Sequence, residues 1–297
     1  MLVYWMGVAT LTGIYLIAIL GVSILTGFTG LFSLGHAGFM AIGGYVCALA
    51  IKNLGIPFYF GLPIGMVAAM LVGLLIGWPT LKLKGDYFVI STLGIGEVVK
   101  LAIENMPGIT GGARGLVDIP KGSSFWFVWT LVVIIVILLR NFLHSKQGRN
   151  CIAVREEELA SKSVGINVVK QRMLAMGISC ALCGLSGGLL AGYMGYLYPI
   201  MFNIAKSNEL ILTVILGGSG SLTGTIIASL VLIPLPEFLR IESAQEWRMV
   251  VYGLLVVLVI VLRPSGLMGN KEFSIKGMKN LIMRIVGKFQ ARGEINE

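Results

Sequence analysis

Long apolar runs separated by short polar breaks dominate the chain. Residues 1–51 hold no Asp, Glu, Lys or Arg, and the stretches 53–81, 122–139, 173–205, 210–236 and 249–262 are equally uncharged. A helix needs about 20 apolar residues to cross a bilayer, where only helices or closed barrels satisfy their own backbone groups. The runs predict spans near 2–26, 36–52, 58–77, 86–105, 124–140 and 173–193, a pair within 204–239, and a last one at 247–263. The expected fold class is all-α: a polytopic integral membrane protein with about eight transmembrane helices. Gly217-Gly218-Ser219-Gly220-Ser221 breaks the 204–239 pair, and its first half has the length of a half-helix or re-entrant segment.

Charge then orients the threading. Only 12% of the 297 residues are charged, about half of what a soluble domain carries. Of the 23 basic residues, six lie between Lys146 and Arg172 and six between Lys271 and Arg292. The positive-inside rule places both regions, and Lys82 with Lys84, in the cytoplasm, which puts 109–124 and Met1 outside. No recognition-helix or aromatic-interleaved basic pattern accompanies the net charge of +9, so nucleic acid is not an expected partner; the lipid bilayer is. Residues 1–269 read as one membrane domain with a cytoplasmic loop at about 144–172. Residues 270–297 read as a basic tail whose Ser274–Phe289 stretch has the spacing of an interfacial helix.

The chemical inventory is thin. His36 and His144 lack nucleophilic neighbours, no phosphate-binding G-x-x-x-x-G-K-[ST] motif occurs, and Cys180 and Cys183 sit in an apolar run without further metal ligands. Neither a catalytic nor a metal site is expected, and the cysteines read as small membrane-core residues. The 40 glycines are more informative. Gly61, Gly65, Ala69, Gly73 and Gly77 recur every four residues, as do Gly184, Gly188 and Gly192, forming stripes on which helices can pack closely.

Ionisable groups within spans tend to face the bundle interior or a watery path, and glycine-loosened helices expose backbone there. Glu97 and Lys100 are spaced to pair on one helix side, with Glu104 extending that face. Ser91 and Thr92 precede Gly94 and Gly96, and Asn208 and Glu209 precede the 217–221 break. With His36, the residues Ser91, Thr92, Glu97, Asn208 and Glu209 are the candidates for a translocation path.

In the mid-chain loop, Ala153-Val154-Arg155-Glu156-Glu157-Glu158-Leu159-Ala160 leads to Gly165-Ile166-Asn167. This is the pattern of a short charged helix closed by a glycine, able to dock on another protein. Together with Gly30-Leu31-Phe32-Ser33-Leu34-Gly35-His36-Ala37-Gly38, Gly85-Asp86-Tyr87-Phe88, Thr110-Gly111-Gly112, Leu216-Gly217-Gly218-Ser219-Gly220-Ser221 and Arg263-Pro264-Ser265-Gly266-Leu267 in order, it resembles the membrane subunits of branched-chain amino-acid ABC importers, in particular the M-type permease. The resemblance runs to about residue 269.

That resemblance implies a second homologous permease, two cytoplasmic ATPase subunits that use ATP and Mg, and an external solute-binding protein. This chain would bind no cofactor itself. It also implies that Arg155, Glu156, Glu157, Glu158, Ala160 and Gly165 form the ATPase-coupling segment, although Leu159 stands where a strict Glu-Ala-Ala pattern has alanine. The outer loop with Arg114, Asp118 and Lys121 would meet the binding protein. Two other readings stay open at this stage: a related importer for urea or short amides, and a self-sufficient carrier coupled through Glu97, Lys100 or Glu104.

Overall fold

A computed structural model of the chain describes residues 2–83 and 85–238, with Gly253 and Gly266. The expected 247–263 span, the 270–297 tail, Lys84 and most of the 263–267 motif lie outside them. Helices follow in the order α1 (Leu2–Val22), continued by a π-helical turn Ser23–Phe28, α2 (His36–Leu54), α3 (Phe58–Thr80), α4 (Asp86–Glu104), α5 (Pro107–Thr110), α6 (Phe125–His144), α7 (Lys146–Glu156), α8 (Glu158–Ser163), α9 (Val168–Met194), α10 (Ile204–Gly217), α11 (Leu222–Leu232) and α12 (Leu235–Phe238). The protein is thus all-α and polytopic. Six helical stretches among the described residues are long and apolar enough to cross a membrane: Val3–Phe28, His36–Leu54, Phe58–Thr80, Phe125–His144, Val168–Met194 and Pro199–Gly217. Helix α4 has the length but carries Asp86, Glu97, Lys100 and Glu104, and Leu222–Glu237 is shorter.

Helices α1 and α9 are buried almost all round, as their apolar residues on every side require, and α2 and α3 pack on α9. The glycine stripes are the reason these backbones can meet. On α3 the buried face is Gly61, Gly65, Ala69, Gly73 and Gly77, bounded by Phe58, Leu62 and Thr80. A side chain on Gly43 of α2 would overlap the backbone of Gly184 on α9, and one on Gly184 would overlap Ala69 of α3. The outward residues of α3, Leu71 and Leu75 among them, are exposed apolar side chains suited to lipid.

The contacts fix the up-and-down order. At one face, Gly77 of α3 approaches Met173 and Met176 near the start of α9, and α6 runs into α7 through Ser145, which caps α7. At the opposite face, the Lys52 ammonium donates to the Val117 carbonyl at 3.1 Å, and Leu116 pairs with Leu197 through reciprocal backbone hydrogen bonds of 2.9 and 2.8 Å. The loop preceding α6 is therefore braced against the end of α9. Its Arg114, Asp118 and Lys121 are exposed.

Candidate functional site

The connection from α1 to α2 is not a simple surface turn. After the π-helical Ser23–Phe28, whose residues are all buried, the chain unwinds through 29–35 and α2 begins at His36, fully buried in the bundle. His36 meets Ser179 of α9, roughly 17 Å along the axis from one end of that helix and 23 Å from the other at 1.5 Å per residue. Unwound backbone at such depth must find partners. Thr92 of α4 accepts from the Leu34 N–H at 3.1 Å, Ser207 of α10 accepts from the Ala37 N–H at 3.0 Å, and Thr29 donates to the Ile24 carbonyl at 2.9 Å.

The His36 ring closes this node. Its Nδ1 lies 2.8 Å from the Ser33 carbonyl and its Nε2 2.9 Å from Ser179 Oγ. A carbonyl can only accept, so Nδ1 carries the proton, and the neutral ring then presents Nε2 as acceptor to the Ser179 hydroxyl. Helices α2, α4, α9 and α10 are thereby joined through one polar knot. Ser33, His36 and Ser179 have no solvent exposure, and Thr92 and Ser207 have 2% or less.

Of the candidate path residues, the structure brings His36, Thr92 and Glu97 together. Gly38 of α2 faces Gly96 of α4 closely enough that a Cβ on Gly38 would lie 3.0 Å from the Gly96 Cα. Beside that crossing, Glu97 lines a narrow crevice, too tight for a water molecule, with Leu34, Ala37, Leu93 and Ser207. Glu97 also accepts from Lys100 at 3.2 Å, both side chains about a quarter exposed. Ser91 is half-buried on α4 and Asn208 is exposed on α10. Glu209 is drawn instead to Lys206, at 3.0 Å, whose ammonium sits 3.5 Å from the Tyr15 ring centroid of α1. Ser179 and Ser207 were missed by sequence reasoning; the signal open to it was a hydroxyl in an otherwise apolar stretch, whose polar atom must find a partner.

The mid-chain loop forms two helices where the sequence pattern predicts one. Glu157 is extended (φ −153°, ψ 109°) and separates α7 from α8. Each side of this break is held by charge. Glu158 accepts from Lys162 at 2.6 Å and from Arg172 of α9 at 2.8 Å, while Arg155 turns back toward the bundle. Lys162 foremost, then Arg172, holds the Glu158 carboxyl below its ordinary range against the opposing effect of burial. Cys151 on the inner face of α7 is buried against Gln171, and burial pushes its thiol up. Gly165 has φ +84° and closes α8 as expected. The segment presents Glu156, Glu157, Leu159, Ala160 and Val164 to the exterior, Leu159 and Val164 about three-quarters exposed.

The family described as branched-chain amino acid transport system / permease component matches residues 4–260. The chain is 35% identical to the high-affinity branched-chain amino acid transport system permease protein LivM of Escherichia coli (strain K12), across 88% of this chain and 69% of that protein. It is 28% identical to the probable branched-chain amino acid transport permease protein LivM of Methanocaldococcus jannaschii (84% and 78%). Against the permease protein LivH of the E. coli system it is 26% identical (89% and 94%). With its helices, its unwound α1–α2 connection and its projecting α7–α8 segment in that setting, the chain belongs to the permease components of branched-chain amino acid transport systems.

Proposed function

We propose that the chain is the membrane-spanning permease subunit of an ATP-driven importer that moves branched-chain or other hydrophobic amino acids into the cell across the bacterial inner membrane. The observation that carries this reading is the α7–α8 knuckle. It leaves Leu159 and Val164 uncovered on the basic face, yet ties itself to the central helix α9 through Glu158 and Arg172. An exposed apolar pair on a segment anchored to the bundle core suits a docking point for a force-producing subunit. One of two cytoplasmic ATPases, using ATP and Mg, would press there, while this chain binds no nucleotide. The basic face and the C-terminus would be cytoplasmic, and the exposed Arg114, Asp118 and Lys121 would meet an external solute-binding protein.

Motion of α8 would pass through Glu158–Arg172 into α9 and, across the glycine contacts, into α2 and α3. The path itself would run along α4, between this chain and a second homologous permease. The crevice beside Glu97 has no room for a water molecule, far below the roughly 300–1,000 Å³ of small-molecule sites, so a solute would pass outside it. The outward stripe of α4, with Tyr87, Ile90, Gly94, Val98 and Leu101 exposed beside the Glu97–Lys100 pair, would be covered by that second subunit.

The test replaces both Leu159 and Val164 with glutamate. Thermal stability of the permease should stay as in the wild type, while co-purification of the ATPases and ATP-linked uptake are lost. Uptake by the wild-type chain in vesicles lacking any ATPase would refute the importer reading in favour of a self-sufficient carrier.

A further inference from the structure

Arg155 stands in the run of residues expected to touch the ATPases, but its side chain points the other way. Its Nη1 donates to the Gly27 carbonyl at 2.7 Å, in the π-helical turn that ends α1, and to the Ser219 carbonyl at 3.4 Å, in the break between α10 and α11. Its Nε donates to Glu156 at 3.1 Å, and Nη2 pairs with the same carboxylate. The side chain is only 17% exposed, whereas that of Glu156 is 62% exposed.

The surroundings are built to admit it. Gly30 has φ +74°, and a Cβ there would lie 2.9 Å from Arg155 Cγ, so a side chain at position 30 would displace the arginine. A Cβ on Gly27 would lie 3.6 Å from the Gly220 nitrogen, which puts the end of α1 directly beside the break. Carbonyls where helices end carry partial negative charge and favour a cation. The two N–H groups of Nη1 meet both carbonyls, while Nε and Nη2 are held by Glu156.

We infer that Arg155 is a positioning residue that transmits movement of the coupling segment into the end of α1 and the α10–α11 break, rather than a contact for the ATPases. It sits at the α7–α8 joint, next to the extended Glu157, where displacement of α8 would first be felt. This link is separate from the Glu158–Arg172 link to α9, and it reaches two places where regular α-helix is interrupted, the π-helical turn after α1 and the α10–α11 break. The inference rests on the importer reading above.

The test uses the assembled complex of both permeases, the ATPases and the binding protein in proteoliposomes, with radiolabelled leucine and phosphate release measured together. Arg155→Ala should co-purify with the ATPases in the wild-type ratio and hydrolyse ATP, but import per ATP should fall about tenfold or more. Arg155→Lys, which keeps the charge and can donate to the carbonyls but lacks the further nitrogens that hold Glu156, should recover part of the loss. Unchanged import per ATP in Arg155→Ala, or ATPases lost from an otherwise folded permease pair, overturns the inference. If Arg155→Ala does not accumulate, Arg155→Lys decides: a lowered import ratio supports the bridge, whereas a wild-type ratio or failure to fold overturns it. A wild-type complex without ATP-dependent import would instead bring down the importer reading, and this inference with it.

Discussion

Replacing Ser179 with alanine removes the hydroxyl that donates to His36 Nε2 at 2.9 Å, at a site where both residues are fully buried. A buried acceptor left without a donor costs about 1–3 kcal/mol. Hydrogen bonds between membrane helices average about 0.6 kcal/mol in double-mutant cycles, with a maximum near 1.7, because chains unfolded in the membrane also find partners. His36 is held at its other nitrogen by Ser33 and cannot turn to a new donor without losing that bond. The coupling should therefore lie in the upper part of that range, about 1–1.7 kcal/mol. The assay is denaturant unfolding of the purified permease for wild type, Ser179→Ala, His36→Leu and the double variant. The double variant should be more stable than the sum of the single effects implies, by that amount. Additivity within about 0.3 kcal/mol would show that the pair does not hold α2 to α9, and the polar knot would lose its role.

Further expectations follow from the same contacts. Gly184→Val should destabilise the bundle by about 1–3 kcal/mol or more, because the added carbons would meet Ala69 and the Gly65 carbonyl. Gly94→Leu on the open face of α4, where a Cβ meets nothing within 4 Å, should change stability by no more than about 0.5 kcal/mol while lowering uptake; normal uptake would contradict the proposed path. The Glu158 carboxyl is held below its ordinary range, so its contribution is present above the unfolded-state value of about 4.3 and is lost only as pH falls through the lowered folded value. Anisotropy of a label at Ser163→Cys should accordingly stay flat from pH 8 to 5 and drop only in stronger acid. The same label in Glu158→Gln should be looser throughout and without that transition, and a midpoint above pH 5 in the parent would contradict the assignment.

Local pattern carried the helices and their buried faces into view, since span length, the α3 glycine stripe and the charge on α4 are properties of neighbouring residues. The site was only partly legible. Glu97 and Lys100 pair at a separation of three, as helical spacing dictates. The partners of His36 and Thr92, by contrast, lie 143 and 58 residues away in the chain, beyond the reach of any periodicity. The π-helical end of α1 and the deep start of α2 contain no proline or charge to announce them; at the start of α2, Thr92 and Ser207 accept from the freed Leu34 and Ala37 N–H groups and Ser179 meets the His36 ring, all three on other helices. The turn of Arg155 toward the bundle was hidden for the same reason. A charge run predicts a polar segment but not which member faces the membrane, and that direction is set by carbonyls at Gly27 and Ser219.

Import measured in proteoliposomes, with ATP and the ATPases supplied or withheld on the side bearing α7 and α8, tests the central claim most directly. Leucine uptake that requires ATP and both ATPase copies, and that disappears when Leu159 and Val164 are replaced by glutamate, is the predicted result. Uptake that proceeds without nucleotide, or that survives those substitutions with the ATPases still bound, would contradict it.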